Sequence, residues 1–164
     1  MNSYDFADRV AIITGGGQGI GYTVAQRILA SGGRVCIWDV DETLLETLPS
    51  ALNATGDRLL AQKIDISDLG SVEKGVSNVI STFGTIDVLI NNAAIVGPNA
   101  PTWEYPPDAF ESVVRIGLLG TFNVCRAVVP HMIKANYGRI VNVSSVAGKE
   151  GSIRRCVVFF CESH

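Results

Sequence analysis

The chain has 164 residues, enough for one domain and for two only if both are small. Apolar residues make up 47% and charged residues 18%, a balance that excludes a disordered chain. A net charge of −3, from 13 Lys and Arg against 16 Asp and Glu, offers nothing built to track a phosphate backbone and disfavours nucleic acid as a partner.

Strand-like apolar runs alternate with helical patterns almost from end to end. Residues 10–14 (VAIIT) read as a first strand ended by three glycines, and residues 20–31 as a helix with Ile20, Val24, Ile28 and Leu29 on one stripe. A strand over 34–39 (RVCIWD) and a helix over 42–52 follow. Next come a strand over 59–64, a helix over 68–83 with Asp68 as its cap, and a strand over 86–91. Residues 98–107 read as a loop, 108–136 as one long helix and 139–143 as a fifth strand. The strand runs are continuous rather than alternating, as expected when both faces are covered. Regular alternation of strand and helix then argues for an α/β domain with a parallel, doubly wound sheet.

The long helix carries Val113, Val114, Ile116, Leu118, Phe122, Val124, Val128, Val129 and Met132, too many apolar positions for one buried stripe. No apolar stretch is expected to reach the length of a membrane span, and the start, MNSYDFADR, lacks a signal-peptide core. The expectation is a cytoplasmic, reduced protein without a membrane partner. Cys36, in an apolar run, and Cys125, in a helical pattern, read as small buried hydrophobes. Cys156, Cys161 and His164 form the one grouping to weigh as a zinc site, and no metal is expected there.

The first strand leads into Thr14-Gly15-Gly16-Gly17-Gln18-Gly19-Ile20-Gly21 and then directly into a helix. Such glycines let the backbone turn tightly and approach a diphosphate, while the helix N-terminus offers free N–H groups and the positive end of its dipole. A tight turn alone is the bland alternative. Asp39, closing the second strand, can accept hydrogen bonds from both adenosine ribose hydroxyls and would repel a 2′-phosphate. Its other reading is a helix cap, which Asp41 could serve instead. No Arg or Lys follows Asp39 before Arg58, so NAD is favoured over NADP.

These residues, with Asp65-Ile66, Asn91-Asn92-Ala93-Ala94 and Asn142-Val143-Ser144-Ser145 in order and spacing, resemble the short-chain dehydrogenase/reductases over residues 6–151. The resemblance implies a Rossmann-type, three-layer αβα fold, here without its C-terminal strands and helices. Residues 1–151 would form an incomplete NAD-binding domain. It also implies an oxidoreductase that passes hydride between nicotinamide C4 and a carbonyl or alcohol carbon. The cofactor would contact Thr14, Gly15, Gly17, Gln18, Gly19, Ile20, Gly21, Asp39, Asn92 and Ala93. Asp65 and Ile66 would flank the adenine, Asn91 would support the sheet and the cofactor loop, and Ser145 would hydrogen-bond the substrate oxygen. Ser144 and Ser145 could also be only a strand-end turn. Sugar acids, polyols and 3-oxoacyl thioesters are the substrate classes of similar relatives. In the complete form the long helix would pack across a two-fold axis, giving a homo-oligomer expected to be a tetramer.

Two departures bear on catalysis. The family's helical asparagine, which helps hold a proton-relay water, falls on Gly117 ahead of Leu118-Leu119-Gly120. Its catalytic tyrosine and lysine fall on Val158 and Glu162. No Tyr-x-x-x-Lys exists elsewhere, since Tyr4, Tyr22, Tyr105 and Tyr137 precede Asp8, Gln26, Ala109 and Val141 at that spacing. A phenol titrates near pH ~10, so it needs an adjacent ammonium to act near neutrality; valine has no proton to give and glutamate brings the wrong charge. Residues 152–164 permit a codon string whose shifted frame reads Ala-Ser-Asp-Ala-Ala-Trp-Tyr-Ser-Ser-Ala-Lys-Ala. It puts tyrosine in the slot of Val158 and lysine in that of Glu162. The expectation is a frameshifted tail over 152–164 on a truncated, inactive dehydrogenase, with a non-catalytic NAD-binding or interaction module as the alternative.

Overall fold

The computed structural model describes residues 5–146. Five parallel strands form one sheet: β1 (Val10–Thr14), β2 (Arg34–Asp39), β3 (Leu59–Lys63), β4 (Val88–Asn91) and β5 (Arg139–Asn142). Their spatial order is β3-β2-β1-β4-β5, so the chain reverses its direction of travel across the sheet between β1 and β4. Helices α1 (Gly19–Ala30), α2 (Glu42–Ala51) and α3 (Leu69–Phe83) connect the first four strands. A helical stretch over Pro107–Lys134 precedes β5.

Strand side chains alternate between two faces, and each face meets its own helices. Val10, Ile12, Cys36, Trp38 and Leu89 pack against Val72, Val76 and Val79 of α3 and against Val124, Val128 and Met132 further along the chain. Ala11, Ile13, Val35, Ile37, Val88 and Ile90 pack on the other side against Ala25, Ile28, Leu45 and Leu48 of α1 and α2. The result is the expected three-layer α/β sandwich of Rossmann type. Burial pushes the Cys36 thiol's pKa up, which leaves it protonated and a poor nucleophile.

Several expectations are corrected. The α1 stripe is rotated: Gly21, Ala25, Ile28 and Leu29 are buried, whereas Ile20 is 63% exposed where the helix leaves the glycine-rich turn. The long helix is not uniform. It divides into α4 (Pro107–Val114), a π-helical turn over Arg115–Gly120, and α5 (Thr121–Lys134). Gly117 and Gly120 lie in that turn, where weak helix propensity lowers the cost of a widened ladder. Pro107 at the first helical position, with its φ preset, explains a start one residue earlier than expected. Of its apolar residues Val113, Val124, Val128 and Met132 are buried, while Leu118 and Phe122 are each 57% exposed. Pro107–Lys134 is also, by length and composition, long and apolar enough to cross a membrane, contrary to expectation; its inward side chains belong to the sheet's core. Cys125 is half-buried rather than buried. By contrast with β1, β2 and β4, β5 is exposed along its whole length.

Candidate functional site

In open α/β sheets a crevice opens at the carboxyl ends of the strands where the strand order reverses. Here that point lies between β1 and β4, and the glycine-rich turn occupies it. Gly15 and Gly19 adopt positive φ of 61° and 59°, conformations glycine reaches without steric cost. The N–H groups of Gly15 and Gly16 both reach the carbonyl of Trp38, which ties the turn to β2. A Cβ on Gly21 would lie 2.6 Å from the carbonyl oxygen of Gly15, so glycine is what lets α1 close on the turn.

Capping sets the helix that starts here apart from α2 and α3. Asp41 accepts from the N–H groups of Thr43 and Leu44 at α2, and Asp68 accepts from Gly70 N–H at α3. At α1 the capping position is Gln18, whose side chain makes no capping bond, and the first turn holds no acidic residue. The donors and the positive dipole end are therefore left for an external anion.

The cradle is braced from β4. Thr14 is 1% exposed, and its Oγ1 accepts from the N–H groups of Asn92 and Ala93, each at 3.0 Å. Its hydroxyl thus ties the ends of β1 and β4 together. Asn92 Nδ2 donates to the carbonyls of Thr14 and Gly15 at 3.1 and 2.9 Å. Asn91, by contrast, is buried and donates to Asn142 Oδ1 at 2.9 Å and to Cys125 Sγ at 3.4 Å. Asn91 thus fixes β4 to β5 and α5, and the bonds to the loop expected of it are made by Asn92.

Asp39 stands across the turn. Its Oδ2 accepts from Gly17 N–H at 3.0 Å, and its Oδ1 from the N–H groups of Val40 and Asp41 at 2.8 and 3.2 Å. A Cβ on Gly17 would sit 2.8 Å from Oδ2, which explains the glycine there. Asp41, not Asp39, caps α2, so the helix-cap reading of Asp39 falls away. A cavity of about 450 Å³ runs along these groups, lined by Gly15, Gln18, Asp39, Asp65, Ile66 and Ala93 among others. Asp65 Oδ1 accepts from Ser67 N–H and Oγ, each at 2.8 Å, and shapes the loop that presents Ile66.

Ser144 and Ser145 follow β5 at the same end of the sheet, where Val143 N–H donates to the carbonyl of Asn91 at 2.9 Å. Gly117 lies in the π-helical turn, its carbonyl accepting from Thr121 Oγ1 at 2.7 Å, and Ile116 beside it lines the cavity. Val158, Glu162, Cys156, Cys161 and His164 lie outside the described residues. Asn142 and Gly120 belong to motifs that carry the resemblance but were given no role, and sequence reasoning did not single out Asn123. Asn123 could have been found as a polar residue three positions after Gly120, on the face that Val124 carries into the core.

The uncapped start of α1, the Asp39 carboxylate and the cavity thus meet at one end of the sheet, and relatives give the class its name. A model of the short chain dehydrogenases matches residues 9–157, and the chain belongs to that family of oxidoreductases, which use nicotinamide cofactors. It is 43% identical over 147 residues to the 2-dehydro-3-deoxy-L-rhamnonate dehydrogenase (NAD(+)) of a Sphingomonas species, covering 90% of this chain and 57% of that protein. It is 41% identical over 142 residues to the 2-(R)-hydroxypropyl-CoM dehydrogenase of Xanthobacter autotrophicus, covering 85% and 57%. The crystal structure of an NAD+-bound xylitol dehydrogenase superposes with a TM-score of 0.93 at 33% identity, covering 98% of this chain and 62% of that one. The chain therefore spans about 57% of the length of these curated relatives.

Proposed function

We propose that residues 5–146 form the NAD-binding part of a dehydrogenase acting on a small carbonyl or secondary-alcohol substrate, and that the 164-residue chain does not turn over. The observation that carries the cofactor reading is Asp39 beside the uncapped start of α1. Each carboxylate oxygen has two lone pairs, so Oδ2 can hold Gly17 N–H and still accept from a ribose hydroxyl. A 2′-phosphate in the same place would meet that negative charge. The N–H groups at the start of α1 would take the diphosphate, and Ile66 would lie against the adenine. When bound, the nicotinamide supplies or accepts hydride. Ser145 would hydrogen-bond the substrate oxygen.

Among sugar acids, polyols and 3-oxoacyl thioesters, the sugar-acid class is favoured by the 43% identity to a protein named for a deoxy-rhamnonate substrate. The exposed Leu118, Phe122 and Ile133 support a homo-oligomer, a tetramer in the complete form. A second reading, a non-catalytic NAD-binding or interaction module, is favoured by Val158 and Glu162 in the tyrosine and lysine slots. The nucleotide sequence from codon 152 separates the two. A shifted frame that continues through further strand-helix units supports a frameshifted tail over 152–164, and stops in every frame support the module.

Fluorescence titration of the chain with NADH and NADPH tests the cofactor assignment. NADH is expected to bind tighter, and Asp39→Ala to weaken NADH by about tenfold or more, as expected for lost hydrogen bonds to a charged group. Tighter binding of NADPH by the unsubstituted chain overturns it.

A further inference from the structure

The loop after β3 forms one wall of the cavity, and the helix behind it holds that wall in an unexpected way. Ile66 lines the cavity yet is only 6% exposed, because its side chain reaches back onto Gly120. A Cβ at position 120 would lie 2.7 Å from both Cδ1 and Cγ1 of Ile66. One helical turn further on, Asn123 is 6% exposed, and its Nδ2 donates to the carbonyl of Ile66 at 3.1 Å and to that of Ser67 at 3.4 Å. The neighbouring Val124, Val128 and Met132 pack α5 onto the sheet by apolar contact. Asn123 is thus a buried polar exception on that face, and burying an amide is favourable only where its hydrogen bonds are made. Ile64 N–H ties the start of the loop to the carbonyl of Asp39 in β2, and the loop's remaining bonds are internal or local to α3: Ser67 N–H and Oγ to Asp65 Oδ1, Asp65 N–H to Ser71 Oγ, and Asp68 N–H to the carbonyl of Asp65.

We infer that Asn123 and Gly120 are positioning residues for the adenosine half of the cofactor: together they seat Ile66 and set the width of the cavity at that end. The inference rests on the NAD reading above and deepens it by assigning residues outside the glycine-rich turn. Gly120 supplies the recess that receives the Ile66 side chain. Asn123 anchors two successive carbonyls, so the loop backbone keeps its place whether or not a nucleotide is bound. Replacing the amide by an apolar group leaves both carbonyls without that donor and frees the wall to drift. Adding a methyl at 120 drives the Ile66 side chain out of its recess toward the cavity.

Calorimetric titration of the 164-residue chain and of Asn123→Leu and Gly120→Ala with ADP-ribose, and separately with inorganic pyrophosphate, tests this, with urea unfolding to establish that each variant is folded. ADP-ribose is expected to bind about tenfold more weakly to both variants. Pyrophosphate, which needs only the glycine-rich turn, is expected to bind as before. If Asn123→Leu does not fold, Gly120→Ala carries the test alone. Unchanged ADP-ribose affinity in the folded variants overturns the inference, as does a parallel loss for both ligands, which marks a general structural role. Failure of the unsubstituted chain to bind ADP-ribose overturns the NAD reading itself, and this inference with it.

Discussion

The strands β1 and β5 lie in the same sheet, one strand apart, and are held in opposite ways. All five residues of β1 are buried, it pairs with β2 on one side and β4 on the other, and both faces are packed by helices. All four residues of β5 are exposed, and among the described residues it pairs only with β4. Beyond that ladder, Asn91 Nδ2 to Asn142 Oδ1 and Val143 N–H to the carbonyl of Asn91 tie it in place. The glycine-rich turn grows from the first strand and the Ser144-Ser145 pair from the second. Groups that would grip the nucleotide are therefore fixed by packing, whereas those near the substrate depend on a few hydrogen bonds. The proposed function accordingly separates holding a cofactor from performing chemistry on it.

The largest test of that separation is turnover. General acid–base catalysis contributes roughly 10²–10⁴-fold, and the slots that the resemblance assigns to it carry Val158 and Glu162. Purified, mass-verified chain is expected to bind NADH while giving no change in NADH absorbance with sugar-acid or polyol substrates. Turnover at rates ordinary for the family would break the comparison, because the chemistry would then need neither residue.

How much of this was legible in the sequence follows the same division. The first three strands, Asp68 as a cap and the turn at Gly15–Gly21 could be read because buried parallel strands are continuous apolar runs and caps are local chemistry. The π-helical turn could not, since a 3.6-residue pattern carries no mark of a register shift inside a helix. Ile20 reads as core by periodicity, yet the close approach of Gly21 to Gly15 turns the other face of α1 inward. Asn91 and Asn92 are adjacent, and only the pleat, which sends one side chain toward Asn142 and the next toward Thr14, separates their tasks. Asn123 answers to a loop 57 residues earlier, a pairing that no local signal records.

A second test probes packing directly. Ile12 in β1 is 0% exposed with atoms on every side, so Ile12→Ala is expected to cost about 2–5 kcal/mol in urea unfolding, from lost burial and the cavity left behind. Val141 in β5 is 49% exposed, and Val141→Ala is expected to fall within about 0.5 kcal/mol of the unsubstituted chain. Equal losses at the two sites would mean that something covers β5 in solution, and the contrast between the strands would vanish.

The smallest expected effect has the opposite sign. Gly117 sits in the π-helical turn, its φ is not in the left-handed region, and a Cβ built there meets nothing within 4 Å. Neither sterics nor backbone conformation requires glycine, and its carbonyl would keep the bond from Thr121 Oγ1. Alanine would narrow the unfolded ensemble without straining the fold, so Gly117→Ala is expected to stabilise the chain by about 0.4–1 kcal/mol. The urea midpoint should rise with the slope unchanged. Gly21→Ala is the control: its Cβ would meet the Gly15 carbonyl oxygen at 2.6 Å, and the same change should destabilise. A loss of stability at both positions would show that the π-helical turn needs the backbone freedom of glycine. A gain at 117 alone would show that this position, to which the resemblance assigns an asparagine, has room for a side chain and that its emptiness is not imposed by the fold.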